Sequence, residues 1–297
     1  MKKLLFIYNP HAGKEQIKSN LLDIIDVFVK ARYEVIAYPT QCRGDASAAV
    51  RNRHEDVDLI VCSGGDGTLD EVVYGMMQCE KRIPIGYVPA GSTNDFANSL
   101  KIPKKMHVAA QIAVAGQAFP CDVGKFNEKN FIYIAAFGLF TDVSYETRQD
   151  LKNVLGHMAY VVEGMKRLAA IPAYKLKVEY DNQILEEEFI FGMITNSVSV
   201  GGFKRITGKH VQLDDGVFEV TLIKKPNNPL EVNEIINSFL IERINTEYMY
   251  CFKTDRVVIT AEEEIPWTLD GEYGGSPTQV EICNEKQAIT IMVPPKA

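Results

Sequence analysis

Six residues, Ser63-Gly64-Gly65-Asp66-Gly67-Thr68, stand between two apolar segments. Before them, Asp58-Leu59-Ile60-Val61-Cys62 reads as a buried parallel strand; after them, Leu69-Asp70-Glu71-Val72-Val73 reads as the start of a helix. Glycines at a strand-to-helix turn let backbone N–H groups approach an anion, and the helix end adds partial positive charge. That is a way to hold phosphate. An aspartate in the same loop repels phosphate unless a divalent cation lies between them. The pattern therefore predicts Mg²⁺ with ATP or a related polyphosphate, and hence phosphoryl transfer. A tight turn needing glycine for shape alone is the plainer explanation of a lone Gly-x-Gly. Three glycines around an acid at this position favour phosphate. The Rossmann fingerprint does not fit, because the position three after Gly67 is Asp70; nor does a Walker A loop, because Gly13-Lys14 is followed by Glu15.

The elements that must carry this loop alternate over the first 125 or so residues. Strands are expected at Lys3–Tyr8, Glu34–Tyr38, Leu59–Cys62 and Ile85–Val88. Helices are expected at Gln16–Lys30, at Asp45–Arg51, after the glycine loop, and through Asp95–Leu100. Such a series implies an α/β, doubly wound, mostly parallel sheet. Ligands bind such sheets at the carboxyl ends of their strands. Asn9-Pro10-His11-Ala12-Gly13, Pro39-Thr40, Ser63–Thr68 and Pro89–Asn94 all follow strands, and should gather along one edge.

Past about Val123 the texture changes. Turn signals appear at Asp181-Asn182, Asp215-Gly216, Asn227-Asn228 and Asp270-Gly271. Tyr174–Tyr180, Ile184–Met193, Val217–Lys224, Arg256–Thr260 and Gln279–Cys283 read as β, which predicts an antiparallel β-sandwich. Two helices interrupt it, at about Leu151–Ala170 and Leu230–Ile244. With 297 residues, two domains are expected. The boundaries are 1–124 and 125–297, and the last residues, about 285–297, are candidates to return to the first domain.

A net charge of −7 argues against a broad nucleic-acid surface. The apolar run after Met1-Lys2-Lys3 ends at Asn9-Pro10, too soon for a secretory leader, and Phe131–Phe140 is too short to cross a bilayer. Six scattered cysteines form no Cys-x-x-Cys, and no histidine spacing completes a zinc site. A cytoplasmic protein with reduced cysteines is expected.

Four segments together resemble the diacylglycerol kinase catalytic-domain family of soluble bacterial lipid kinases, more distantly related to sphingosine and ceramide kinases. They are Asn9-Pro10-His11-Ala12-Gly13, Ser63–Thr68, Gly91-Ser92-Thr93-Asn94-Asp95-Phe96-Ala97 and Leu269-Asp270-Gly271-Glu272. The resemblance covers essentially the whole chain. It implies an ATP-dependent lipid kinase of phospholipid metabolism, with a nucleotide domain followed by a β-sandwich. It also implies roles. Asn9, Gly13 and Lys14 lie at a first nucleotide loop and Thr40 at a second. Gly64, Gly65, Asp66, Gly67, Thr68 and on to Glu71 cradle phosphates, with Ser92 and Asn94 closing the site. Asp66, Asp95 and Asp122 organise Mg²⁺ through water. Glu272 is the general base for the lipid hydroxyl, with Asp270 beside it. Asp215, with the carbonyls of Gln212 and Val217, resembles a structural metal loop.

The residues alone leave several of these roles open. Asp95 at a helix start could simply complement the dipole. Asp122 between Cys121 and Val123 needs a partner, structural or metallic. Asp270-Gly271 and Asp214-Asp215-Gly216 are good turns in any protein. The Leu151–Ala170 stripe, flanked by Lys152, Lys166 and Arg167, suits either an anionic membrane surface or packing on the sandwich. The expected partners are a lipid alcohol and, transiently, the inner membrane face, and a homodimer is compatible with the sequence. Two rival readings are an NAD kinase, which shares the glycine loop, and a nucleotide-binding regulatory module without catalysis.

Overall fold

The computed structural model describes residues 1–139, 172–200, 203–204, 211–240 and 247–295. The chain divides into two compact units. Unit 1 comprises Met1–Val123, Leu213–Asp215 and Lys286–Ala297; unit 2 comprises Gly124–Gln212 and Gly216–Glu285.

Unit 1 opens with β1 (Lys2–Tyr8), α1 (Ile17–Lys30), β2 (Tyr33–Pro39), α2 (Asp45–Arg53), β3 (Leu59–Gly64), α3 (Asp66–Met77) and β4 (Ile85–Pro89). α4 (Asp95–Ser99) and α5 (Met106–Ala115) follow. The strands run parallel in the order β2-β1-β3-β4, with Tyr8 opposite Pro39 and Ser63, and Gly64 opposite Pro89. β3 and β4 are buried along their whole length, as expected of strands covered on both faces. α1 buries Ile17, Ile24, Val27 and Phe28, and the Phe28 ring meets Phe6 edge-on at 5.2 Å. The carboxyl-terminal segment joins this sheet in parallel, with Ile291 opposite Ile85. The parallel direction follows from the crossover helices, which the alternating pattern announces.

Two strands supply residues to both units: β5 (Gln117–Phe126) and, at the far end of the chain, β17 (Gln279–Val293). Within unit 1, buried Asp122 accepts the N–H of Gln287 at 2.7 Å and gives its own to the Leu213 carbonyl at 2.8 Å. One aspartate thus ties together the three separate segments of this unit.

Unit 2 is antiparallel. Its strands include β6 (Lys129–Phe131), β7 (Ile134–Gly138), β8 (Tyr174–Tyr180), β9 (Gln183–Thr195), β10 (Ser199–Val200) and β11 (Phe203–Lys204). Next come β12 (Phe218–Lys224), α6 (Pro229–Leu240), β13 (Met249–Thr254), β14 (Arg256–Ala261), β15 (Trp267–Leu269) and β16 (Glu272–Gly275). β9 changes role along its length. Gln183–Phe189 pairs with β8, and from Phe189 on it pairs with β12 and, from Phe191, with β7. The sequence changes at the same place: Glu186-Glu187-Glu188 is exposed, and Phe189–Thr195 is buried throughout. The core gathers Phe126, Phe131, Phe137, Phe189, Phe218 and Trp267, with Trp267 edge-on to Phe126 at 5.1 Å and to Phe137 at 4.8 Å.

The fold is therefore the α/β half and the antiparallel β half that the sequence implies. The expected helix at 151–170 lies outside the described residues. The second expected helix is observed as α6, and residues 241–246 again lie outside the described set. Asn227-Asn228, expected as a plain turn, is a helix start: the Asn228 carboxamide accepts the N–H groups of Leu230 and Glu231, with Pro229 as the first helical residue.

Candidate active site

The loops at the carboxyl ends of β1, β3 and β4 are bonded to one another. The Asn9 N–H donates to the Ser63 carbonyl at 2.9 Å, and the Ala90 N–H to the Gly64 carbonyl at 2.7 Å. Thr40, just past β2, donates its N–H to Tyr8 at 2.9 Å. Gly13 has φ +55°, and a Cβ there would overlap the Ala90 carbonyl oxygen. Gly13→Ala is expected to cost more than the roughly 1–2 kcal/mol of left-handed strain alone, because the Ala90 carbonyl must also shift, and to weaken ATP binding, checked by denaturant unfolding and by calorimetry with ATP. Asn9, Gly13, Thr40, the glycine loop and the Gly91–Asn94 turn thus share one edge of one sheet. Lys14 and Ser92 lie exposed on it.

α3 starts at Asp66 with Gly65 as its N-cap, and no side chain caps it. Its first N–H groups are the kind that bind phosphate. The Gly91–Asn94 turn is closed by Asn94, which takes φ +54°, accepts the Gly91 N–H at 2.9 Å and donates to the Gly91 carbonyl at 2.8 Å. Buried Tyr87 joins the two loops by donating its hydroxyl to the Gly64 carbonyl at 3.2 Å. Sequence reasoning missed Tyr87, because a tyrosine in an apolar strand gives no sign of where its hydroxyl points.

The Asp66 carboxylate accepts the Thr93 hydroxyl at 3.3 Å and the N–H groups of Asp95 at 3.2 Å and Phe96 at 3.4 Å. It therefore caps α4 from another helix. Burial, and then the charge of Asp95, push the Asp66 carboxyl above its usual range, and these hydrogen bonds offset them only in part. A hard divalent cation beside Asp66 would relieve both its desolvation and the repulsion from buried Asp95. Among the described residues, no three Asp, Glu, His or Cys side chains gather as a metal cage. A cation here must complete its shell with phosphate oxygens and water. Asp122 belongs to the segment junction described above. The Asp215-Gly216 turn is present, with Gly216 at φ +88°.

Glu272 opens β16 and pairs with Leu269 of β15 across a two-residue turn. Asp270 and Gly271 both take positive φ, +49° and +84°, as a type I′ hairpin requires. Glu272 is exposed, whereas Asp270 is buried. The Asp270 carboxylate accepts the N–H groups of Ile132, Tyr133 and Ile134, and its own N–H returns to the Ile134 carbonyl. The aspartate fixes the hairpin that carries Glu272. Asp270→Ala strands three N–H groups and is expected to cost about 2–4 kcal/mol in unfolding free energy, measured by denaturant titration.

A diacylglycerol kinase catalytic domain matches residues 3–126, and a YegS C-terminal NAD kinase beta sandwich-like domain matches residues 137–293. The chain belongs to the diacylglycerol kinase family. A diacylglycerol kinase of Bacillus subtilis (strain 168) is 36% identical over 277 residues, covering 93% of this chain and 91% of the relative. One from Staphylococcus carnosus (strain TM300) is 35% identical over 295 residues, covering 99% and 95%. A crystal structure of a proposed diacylglycerol kinase from Bacillus anthracis str. Sterne superposes with a TM-score of 0.85 at 26% identity, covering 98% of this chain and 95% of that one. As a member of this kinase family, the enzyme uses ATP. Among the described residues, no helix is long and apolar enough to cross a membrane.

Proposed function

We propose that this kinase transfers the γ-phosphoryl group of ATP to the hydroxyl of a lipid alcohol of the diacylglycerol class. The observation that carries the reading is the edge of unit 1, where three strand-end loops and the amino end of α3 are bonded to one another around Asp66. Full-length similarity to proteins called diacylglycerol kinases supports the acceptor class.

In this reading Asn9, Gly13 and Lys14 meet the nucleotide from the first loop and Thr40 from the second. Backbone N–H groups from Gly65 to Thr68 hold the phosphates, and Ser92 closes the site. Asp66, Asp95 and Asp122 would hold Mg²⁺ through water. When bound, Mg²⁺ spreads the charge that builds on the transferring phosphoryl group. Glu272 takes the proton from the lipid hydroxyl as it attacks. Asp270 holds Glu272 in place. Asp215, with the carbonyls of Gln212 and Val217, is a candidate for a separate structural cation. The acceptor is met at a membrane surface, which predicts salt-weakened binding to anionic vesicles.

The test is incubation with labelled ATP, Mg²⁺ and a panel of dispersed lipid alcohols, alongside NAD. Label in a lipid phosphomonoester supports the reading. Label in NADP, or in nothing, overturns it.

A further inference from the structure

Glu71 sits in the second turn of α3, five residues past Asp66. Its carboxylate reaches α2 instead of its own helix end. Oε1 accepts the Gly44 N–H at 2.8 Å, and Oε2 accepts the Ala46 N–H at 3.2 Å. These are the leading N–H groups of α2, whose N-cap is Gly44, at φ +83° and with no capping side chain. A helix leaves such groups unpaired and its amino end partly positive. Glu71 supplies from a neighbouring helix what an N-cap serine or aspartate would supply locally.

The next residue, Asp45, is committed in the other direction. Its carboxylate accepts the Tyr38 hydroxyl at 2.7 Å and the Gln41 N–H at 2.8 Å. At the near end of the same loop, the Thr40 N–H is held by Tyr8. The Thr40–Gly44 loop is therefore tied to β1 at one end and to the glycine-motif helix at the other, and Glu71 is the second tie.

We propose that Glu71 is a positioning residue for the nucleotide: it fixes the Thr40–Gly44 loop through the amino end of α2 and does not ligate phosphate or metal. The proposal rests on the nucleotide reading above. Both carboxylate oxygens are already engaged with N–H groups, and a phosphate brought to them would meet like charge. Glutamine at this position keeps the size, but sets an NH₂ group against one of the two N–H donors.

The test uses full-length Glu71→Gln. In nucleotide-free protein, hydrogen exchange across residues 40–46 should quicken by about tenfold while β3 stays protected. In turnover assays, KM for ATP should rise about tenfold with kcat within about twofold. Glu71→Gln and Thr40→Ala should be non-additive on KM, since both act through one loop. Unchanged exchange over 40–46 overturns the proposal. So does a loss carried by kcat that excess Mg²⁺ restores, which would make Glu71 a metal-side group. If the wild-type protein binds no ATP, the nucleotide reading fails instead, and the exchange result still decides whether Glu71 holds the loop.

Discussion

Replacing Glu272 by glutamine is expected to lower kcat by about 10²–10⁴-fold while leaving the ATP dissociation constant within about twofold. An alcohol hydroxyl is a weak nucleophile at neutral pH, and a positioned carboxylate that accepts its proton accounts for a factor of that size. Glutamine keeps the length and shape of the side chain but cannot take the proton. Glu272 is exposed at the first residue of β16, so the substitution should barely move the unfolding midpoint. That separates it from Asp270, whose removal strands the N–H groups of Ile132, Tyr133 and Ile134 and should act on stability first. Pre-steady-state turnover of a diacylglycerol substrate, with calorimetry on ATP, reads both quantities. A Glu272→Gln enzyme turning over at near wild-type rate would remove this carboxylate from the chemistry and leave alignment and charge to carry it.

The parallel half of the fold is legible because its determinants are local. Each strand from β1 to β4 is a short apolar run, and each crossover helix has its own periodic stripe, as in Ile17, Ile24 and Phe28. Turn chemistry is equally local: Asp270-Gly271 announces its hairpin, and Asp181-Asn182 takes φ +44° and +62° between β8 and β9. What the sequence hides is long-range. β9 reads as one strand from Ile184 to Met193, but its two halves serve different partners, and the change from Glu186-Glu187-Glu188 to an apolar run does not say which strands those are. α5, rich in alanine and valine, marks its exposed side with only two polar residues, His107 and Gln111, a signal too faint to announce a separate helix. β13 and the three-residue β15 are too short or too mixed to stand out. At the site, motif spacing marks the loops but not their bracing. Asp66 reads from sequence as a metal-side acid; that its carboxylate also caps α4 depends on residues about thirty positions away. Glu71 reads as the tail of a phosphate motif, and its partners lie 25 and 27 positions back. In both cases a residue of α3 is defined by the amino end of another helix that the chain brings to it only on folding.

Asp66→Asn is expected to pull stability and function in opposite directions. Burial and the Asp95 charge raise the Asp66 carboxyl pKa in the folded chain above its ordinary value of 3.8. The sign follows from linkage. Well below the ordinary value the group is protonated in both folded and unfolded chains and costs nothing. As pH rises through the ordinary value and then the raised one, the unfolded chain ionises first, so folding loses stability. At neutral pH the folded state carries the whole cost. Asparagine mimics the neutral form, so in chelator and without nucleotide the variant should unfold at a higher temperature than wild type at neutral pH, and the gap should close on acidification. The carboxylate also accepts three donors, which asparagine satisfies less well. Two of the three are backbone contacts of 3.2 and 3.4 Å, and the net upward shift means that desolvation and repulsion outweigh all of them. Function should move the other way. An acid that organises Mg²⁺ through water typically carries 10–100-fold in metal affinity, so about that loss is expected in apparent Mg²⁺ affinity at saturating ATP. Thermal stabilisation by Mg·ATP should shrink accordingly. A variant that is less stable than wild type in chelator at neutral pH would mean that capping α4 is the larger role of Asp66. A variant with unchanged Mg²⁺ dependence would take the cation away from this carboxylate altogether.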